Sequence, residues 1–97
     1  MPMHNPMHPG EYINEVYLQP LGISGRALAG KLAIAPSTIN RIIAGRGHVT
    51  PEMALRLAKC LGRTAESWLN MQQQHGLWKA RQNVDLRNVR KLKLTTA

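Results

Sequence analysis

Ninety-seven residues make one domain's worth of chain, too little for a catalytic domain and a regulatory one together. Lys+Arg 13 against Asp+Glu 5 leaves a net charge of +8, which asks for a polyanionic partner: nucleic acid first, an anionic membrane surface second, an acidic protein third. A hydrophobic content of 43% excludes a disordered basic tail, and the lone Cys60 excludes an internal disulfide framework and any cysteine-based zinc site.

Residues 1–8, with Pro2 and Pro6, read as a loose N-terminal arm. His8-Pro9-Gly10-Glu11 starts a first helix, with proline at the first helical position and an acid facing the positive end of the dipole. Ile13, Val16 and Tyr17 give it one apolar face, and Pro20-Leu21-Gly22 is expected to stop it. Ser24 caps a second helix whose Leu28, Ala29 and Leu32 face inward. Pro36 opens a third, carrying Ile39, Ile42 and Ile43 until Ala44-Gly45. Thr50-Pro51-Glu52 starts a fourth, with Met53, Ala54, Leu57, Ala58 and Leu61 as its stripe and Gly62 as its end. Thr64 caps a fifth, with Glu66 in its first turn. It runs through Trp68, Leu69 and Met71 towards Trp78, and Gly76 is a point where it can break. From Val84 onward, Leu92 and Leu94 alternate with Lys91, Lys93 and Thr95, a weak edge-strand pattern. The predicted class is all-α: five helices over residues 9–83 and a basic tail over 84–97.

The charge is unevenly placed. No Asp or Glu falls between Val16 and Pro51, while Arg26, Lys31, Arg41 and Arg46 all do. From Lys79 to the end, six cations face only Asp85. A folded surface without acids suits an approach to phosphates, since one carboxylate there repels the backbone it must meet. No apolar run nears the ~20 residues of a membrane span, and the first residues lack the apolar stretch of a signal peptide, so the expected setting is the cytoplasm.

Helices two and three form the discriminating feature, a helix-turn-helix over about residues 24–45. Ala29 is small enough to let the second helix of the pair cross closely. Ala33-Ile34-Ala35 makes the tight connection, with Ile34 plugging the turn into the core. With Ile39 and Ile42 turned inward, Ser37, Thr38, Asn40 and Arg41 are left on the half of the third helix that reaches base edges in a major groove. Arg41 suits guanine O6/N7, Asn40 suits adenine N6/N7, and Ser37 and Thr38 serve a base or a phosphate. Ser24, Arg26 and Arg46 are candidates for phosphate contacts that set register. Ala33 stands where the turn favours glycine, so a modest backbone strain is expected there.

The order Asn5-Pro6, His8-Pro9-Gly10-Glu11, Pro20-Leu21-Gly22-Ile23-Ser24, Ala27-Leu28-Ala29, Ile39 to Arg46, Thr50 to Lys59 and Trp68-Leu69-Asn70-Met71-Gln72 closely resembles the HigA/VapI-type antitoxins. These belong to the Xre/Cro-like repressors of lambda-repressor-like fold. The resemblance covers residues 5–82 and leaves the basic tail outside. It implies a bacterial dimeric repressor that binds a palindromic operator, represses its own gene pair and silences a RelE-like toxin that cleaves mRNA. The alternative is an orphan regulator of the same family with no toxin partner. Two departures stand out: Ala33 where the family has glycine, and Ala35 where it often has serine. The second removes an N-cap bond and leaves Pro36 to carry the helix start.

Other residues carry weaker signals. His4 and His8 are four apart, but Pro6 between them argues against a helix and no third ligand is evident, so no metal or other cofactor is expected. His48 and His75 read as surface or capping residues, and Cys60 as a small core residue. Trp68, Leu69 and Trp78 are read two ways, as core and as the interface of a homodimer. No phosphate-binding glycine loop, paired carboxylates or Ser/His/Asp set supports an enzyme.

Overall fold

The computed structural model describes residues 6–93 and contains five helices packed around one core. The first, α1, is continuous over residues 9–21 but changes winding: α-helical Pro9–Ile13, π-wound Asn14–Leu18, α-helical Gln19–Leu21. Pro20 therefore does not stop it. A proline ring clashes with the carbonyl four residues back, here Val16, and the wider turn just before it relieves that clash. The stop is Gly22, in the left-handed region at φ 63°. There the Ile23 N–H closes on the Leu18 carbonyl at 3.0 Å and the Gly22 N–H on Gln19 at 3.2 Å.

Helices α2 (Gly25–Leu32), α3 (Pro36–Ile43), α4 (Pro51–Leu61) and α5 (Ala65–Asn83) follow. Ser24, Thr50 and Thr64 each cap in the expected way, their hydroxyls accepting from Ala27, Met53 and Ser67 N–H. His8 caps α1, its Nδ1 accepting from the Gly10 N–H at 2.9 Å. Helix α5 runs unbroken through Gly76, because a single glycine costs a helix only about 1 kcal/mol and removes no hydrogen bond. Residues 84–93 form no strand. They are exposed, and Val84, Leu86, Val89 and Leu92 find no sheet to pair with among the described residues. Leu94 and Thr95, the rest of that alternating pattern, and His4 lie outside the described residues.

The core joins Ile13 and Leu18 of α1, Leu28, Ala29 and Leu32 of α2, Ile39 and Ile42 of α3, Val49, Met53, Ala54 and Leu57, and Trp68 of α5. Trp68 is 0% exposed, and its indole N–H donates to the Gly62 carbonyl at 3.0 Å. No part of Trp68 is left to face a second copy. This corrects its reading as an interface residue and leaves Leu69 and Trp78, both half-buried.

The fold depends on one close crossing. A Cβ built on Gly10 would lie 1.7 Å from the Ile42 backbone oxygen, so α1 and α3 touch backbone to backbone. That contact explains the His8-Pro9-Gly10-Glu11 start: a capping imidazole, a proline at N1, no side chain at the crossing, then an acid on the dipole.

Candidate nucleic-acid interface

Helix α3 is held from behind. Ile39 and Ile42 are 0% and 1% exposed, with Gly10 of α1 against its last turn. The turn before it closes with the Ile34 N–H on the Ala29 carbonyl at 3.0 Å and the Ala33 N–H on Gly30 at 3.2 Å. Ala33 itself sits at φ 59°, ψ 44°, so the left-handed backbone is kept and alanine bears the strain. Ala35 makes no side-chain cap. Its carbonyl takes the Thr38 N–H at 3.0 Å, and Pro36 needs no partner at N1.

One support of this turn had no local signal in the sequence. Arg56 of α4 donates to the Leu32 carbonyl at 2.9 Å and to the Ala33 carbonyl at 3.3 Å, satisfying acceptors that α2 leaves open at its end. Its partner lies 24 residues away, and only the packing of α4 against α2 brings the two together. Gln72 of α5 acts likewise on the loop after α3: its Nε2 donates to the Val49 carbonyl at 2.8 Å, and its Oε1 accepts the Val49 N–H.

On the opposite face of α3, Ser37, Asn40 and Arg41 are exposed and Thr38 is half-buried. Thr38 and Arg41 line a groove that continues along Arg46, Gly47 and His48. Asn40 borders a second groove with Ser24 and Gly25, where its Oδ1 stands 2.5 Å from where a Cβ on Gly25 would be. Glycine at the start of α2 thus makes room for the Asn40 amide. Arg26 and Arg46 are exposed. Ser24 is exposed too, but its hydroxyl already serves as the α2 cap. No acidic residue lines either groove. Leu69 and Trp78, on α5, line neither groove. The arrangement presents one amide, two hydroxyls and a guanidinium on a helix whose orientation is fixed at both ends. The chemistry on this face is of the kind that hydrogen-bonds base edges, with cations beside it of the kind that neutralise phosphates.

The helix-turn-helix family model matches residues 16–69. Virulence-associated protein I of Dichelobacter nodosus is 43% identical over 83 residues, spanning 86% of this chain and 77% of the relative. Antitoxin GraA, a solved structure, superposes with a TM-score of 0.85 at 40% identity, over 93% of this chain and 100% of that one. The Pseudomonas aeruginosa antitoxin HigA, solved with the higBA promoter, superposes with a TM-score of 0.75 at 32% identity, over 79% and 84% of the two chains.

Proposed function

The chain belongs to the helix-turn-helix family, whose members are DNA-binding regulators and not enzymes, and on that footing we propose that it is the operator-binding antitoxin of a HigBA-type pair. The observation that carries the DNA reading is the division of α3. Ile39 and Ile42 are spent inside, and Ser37, Thr38, Asn40 and Arg41 are left on an acid-free face. Arg41 and Asn40 read bases, Ser37 and Thr38 assist, and Arg26, Arg46 and the Ser24 end of α2 hold the backbone.

The active species is a homodimer on a palindrome, its two α3 helices one helical turn, ~34–36 Å, apart. Helix α5 supports this. Trp68 is its only buried residue, while Leu77 is 41% exposed next to the half-buried Trp78, leaving apolar surface on the second half of the helix for a second copy. Neutralisation of an mRNA-cleaving toxin rests on the resemblance to antitoxin GraA along that chain's whole length. The setting is the cytoplasm of a bacterium. The described residues hold no helix long and apolar enough to cross a membrane.

Pull-down of genomic fragments with the purified protein at two salt concentrations tests this reading. One enriched palindrome beside the protein's own gene, next to a small open reading frame, is the expected result. A palindrome with no such neighbour favours the orphan regulator. Salt-sensitive binding with no preferred site overturns sequence-specific repression.

A further inference from the structure

Beyond Arg46 the recognition groove does not end. Arg46, Gly47 and His48 also line a neighbouring hollow, whose other walls are His8 before α1 and His75, Gly76 and Lys79 on α5. Every charged or titratable side chain in that lining is a base, and no carboxylate reaches it. Among the described residues the side chains of Arg46, His48 and Lys79 make no hydrogen bond or ion pair. The walls are held firmly without them. Gln72 clamps Val49, and His75 Nδ1 lies 2.7 Å from the Pro6 carbonyl, which only accepts, so the ring donates there. His75 also meets His8 edge-on, with ring centroids 5.1 Å apart. Gly76 leaves the hollow open, since a Cβ there would meet no atom within 4 Å.

Five bases facing one another with nothing negative between them form a site short of an anion. We propose that this hollow seats a backbone phosphate of the bound DNA, outside the base pairs under α3, with Lys79 and His48 as its principal donors and His75 beside them. The inference rests on the DNA-binding reading. Continuity decides the source of the phosphate: the hollow shares three residues with the groove that holds Thr38 and Arg41, so a strand lying along one runs into the other. Burial, then His75, and more weakly His48 and Lys79, hold the His8 imidazole below its ordinary value, against a backbone hydrogen bond to Gly47. Burial is the largest of these causes, and the basic neighbours add to it.

The test measures affinity for the selected operator across a salt series, with wild type, Lys79→Gln, Gly76→Glu and Gly76→Ala. Gly76→Glu places a carboxylate in the hollow, and Gly76→Ala controls for the helix position. The dimer carries two such hollows, so losing the phosphate contact in each lowers the salt slope by about 1.8, on the order of a 50-fold loss of affinity near ~0.1 M salt. That loss is expected for Lys79→Gln and Gly76→Glu, with site preference unchanged and Gly76→Ala binding like wild type. On a duplex trimmed to the base pairs under α3, the variants should match wild type. If both variants keep the wild-type slope while Arg41→Ala relaxes site preference, the phosphate seat is wrong and the DNA reading stands. Titration with inorganic phosphate that shifts His75 resonances while the slopes stay equal assigns the hollow to a free anion and overturns the proposal. Absence of DNA binding by wild type overturns both.

Discussion

Gly10 and Ala33 show how much single backbone positions decide. Gly10 has the Ile42 carbonyl where a Cβ would stand, and the neighbour is backbone, which cannot swing away. Gly10→Ala should therefore destabilise by about 1–3 kcal/mol or more, read as a lower denaturant midpoint. An unchanged midpoint would mean that the crossing is not close. Ala33 has the opposite expectation. Glycine there removes a left-handed strain of about 1–2 kcal/mol at some cost in unfolded-state entropy, for a net gain of roughly 0.5–1 kcal/mol. A loss of stability would contradict the left-handed turn. His8 supplies a pH dependence. Its folded value lies below the ordinary 6.5, so the unfolded chain binds the proton more readily. Its contribution is complete above 6.5 and is lost as pH falls through the lowered folded value. Replacing it with a non-titrating cap, His8→Asn, should flatten the decline in stability between neutral and mildly acid pH. A difference between the two proteins that does not vary with pH would refute this. The strain at Ala33 was legible in the sequence because turn length and the Ile34 plug mark a left-handed position. The need for glycine at position 10 was not, because what forbids a side chain is a carbonyl 32 residues further along.

Helix starts were legible and helix ends less so. Ser24, Thr50 and Thr64 announced their helices because a cap is a bond between near neighbours. Pro20 and Gly76 looked like breaks and are not, since a π-wound turn absorbs the first and uninterrupted i→i+4 bonding carries α5 past the second. The apolar alternation after Val84 did not become a strand over the described residues, having no edge to join. The placing of the helix-turn-helix owes much to Arg56, which no pattern within α4 reveals. Arg56→Ala leaves the Leu32 and Ala33 carbonyls without their donor and should cost about 1–2 kcal/mol. Glu52→Ala, which removes only the exposed partner of the 2.8 Å ion pair, should cost under about 1 kcal/mol. Equal losses would show that the ion pair matters and the carbonyl contacts do not. The outward residues of α3 could be read from sequence because they are what remains of the helix once its buried positions are assigned. The hollow beside them could not, because it is assembled from three distant segments.

At the scale of the molecule, charge and shape point the same way. The principal extents are 58 × 28 × 25 Å, and the radius of gyration of 17.1 Å exceeds the roughly 13 Å of a compact domain of about 100 residues. The excess is α5 and the residues after it, which leave the core behind with apolar side chains uncovered. In the proposed dimer the +8 charge is doubled and two acid-free faces lie along one duplex, so affinity should fall steeply with salt. The central claim is that α3 reads bases while the cations around it only hold the backbone. Competition binding of Arg41→Ala and Arg46→Ala to the selected operator and to a scrambled duplex of equal length tests it most directly. Arg41→Ala should lose about 1–3 kcal/mol on the operator and little on the scrambled duplex, and Arg46→Ala should weaken both alike. If Arg41→Ala binds both duplexes as wild type does, α3 is not the reading helix.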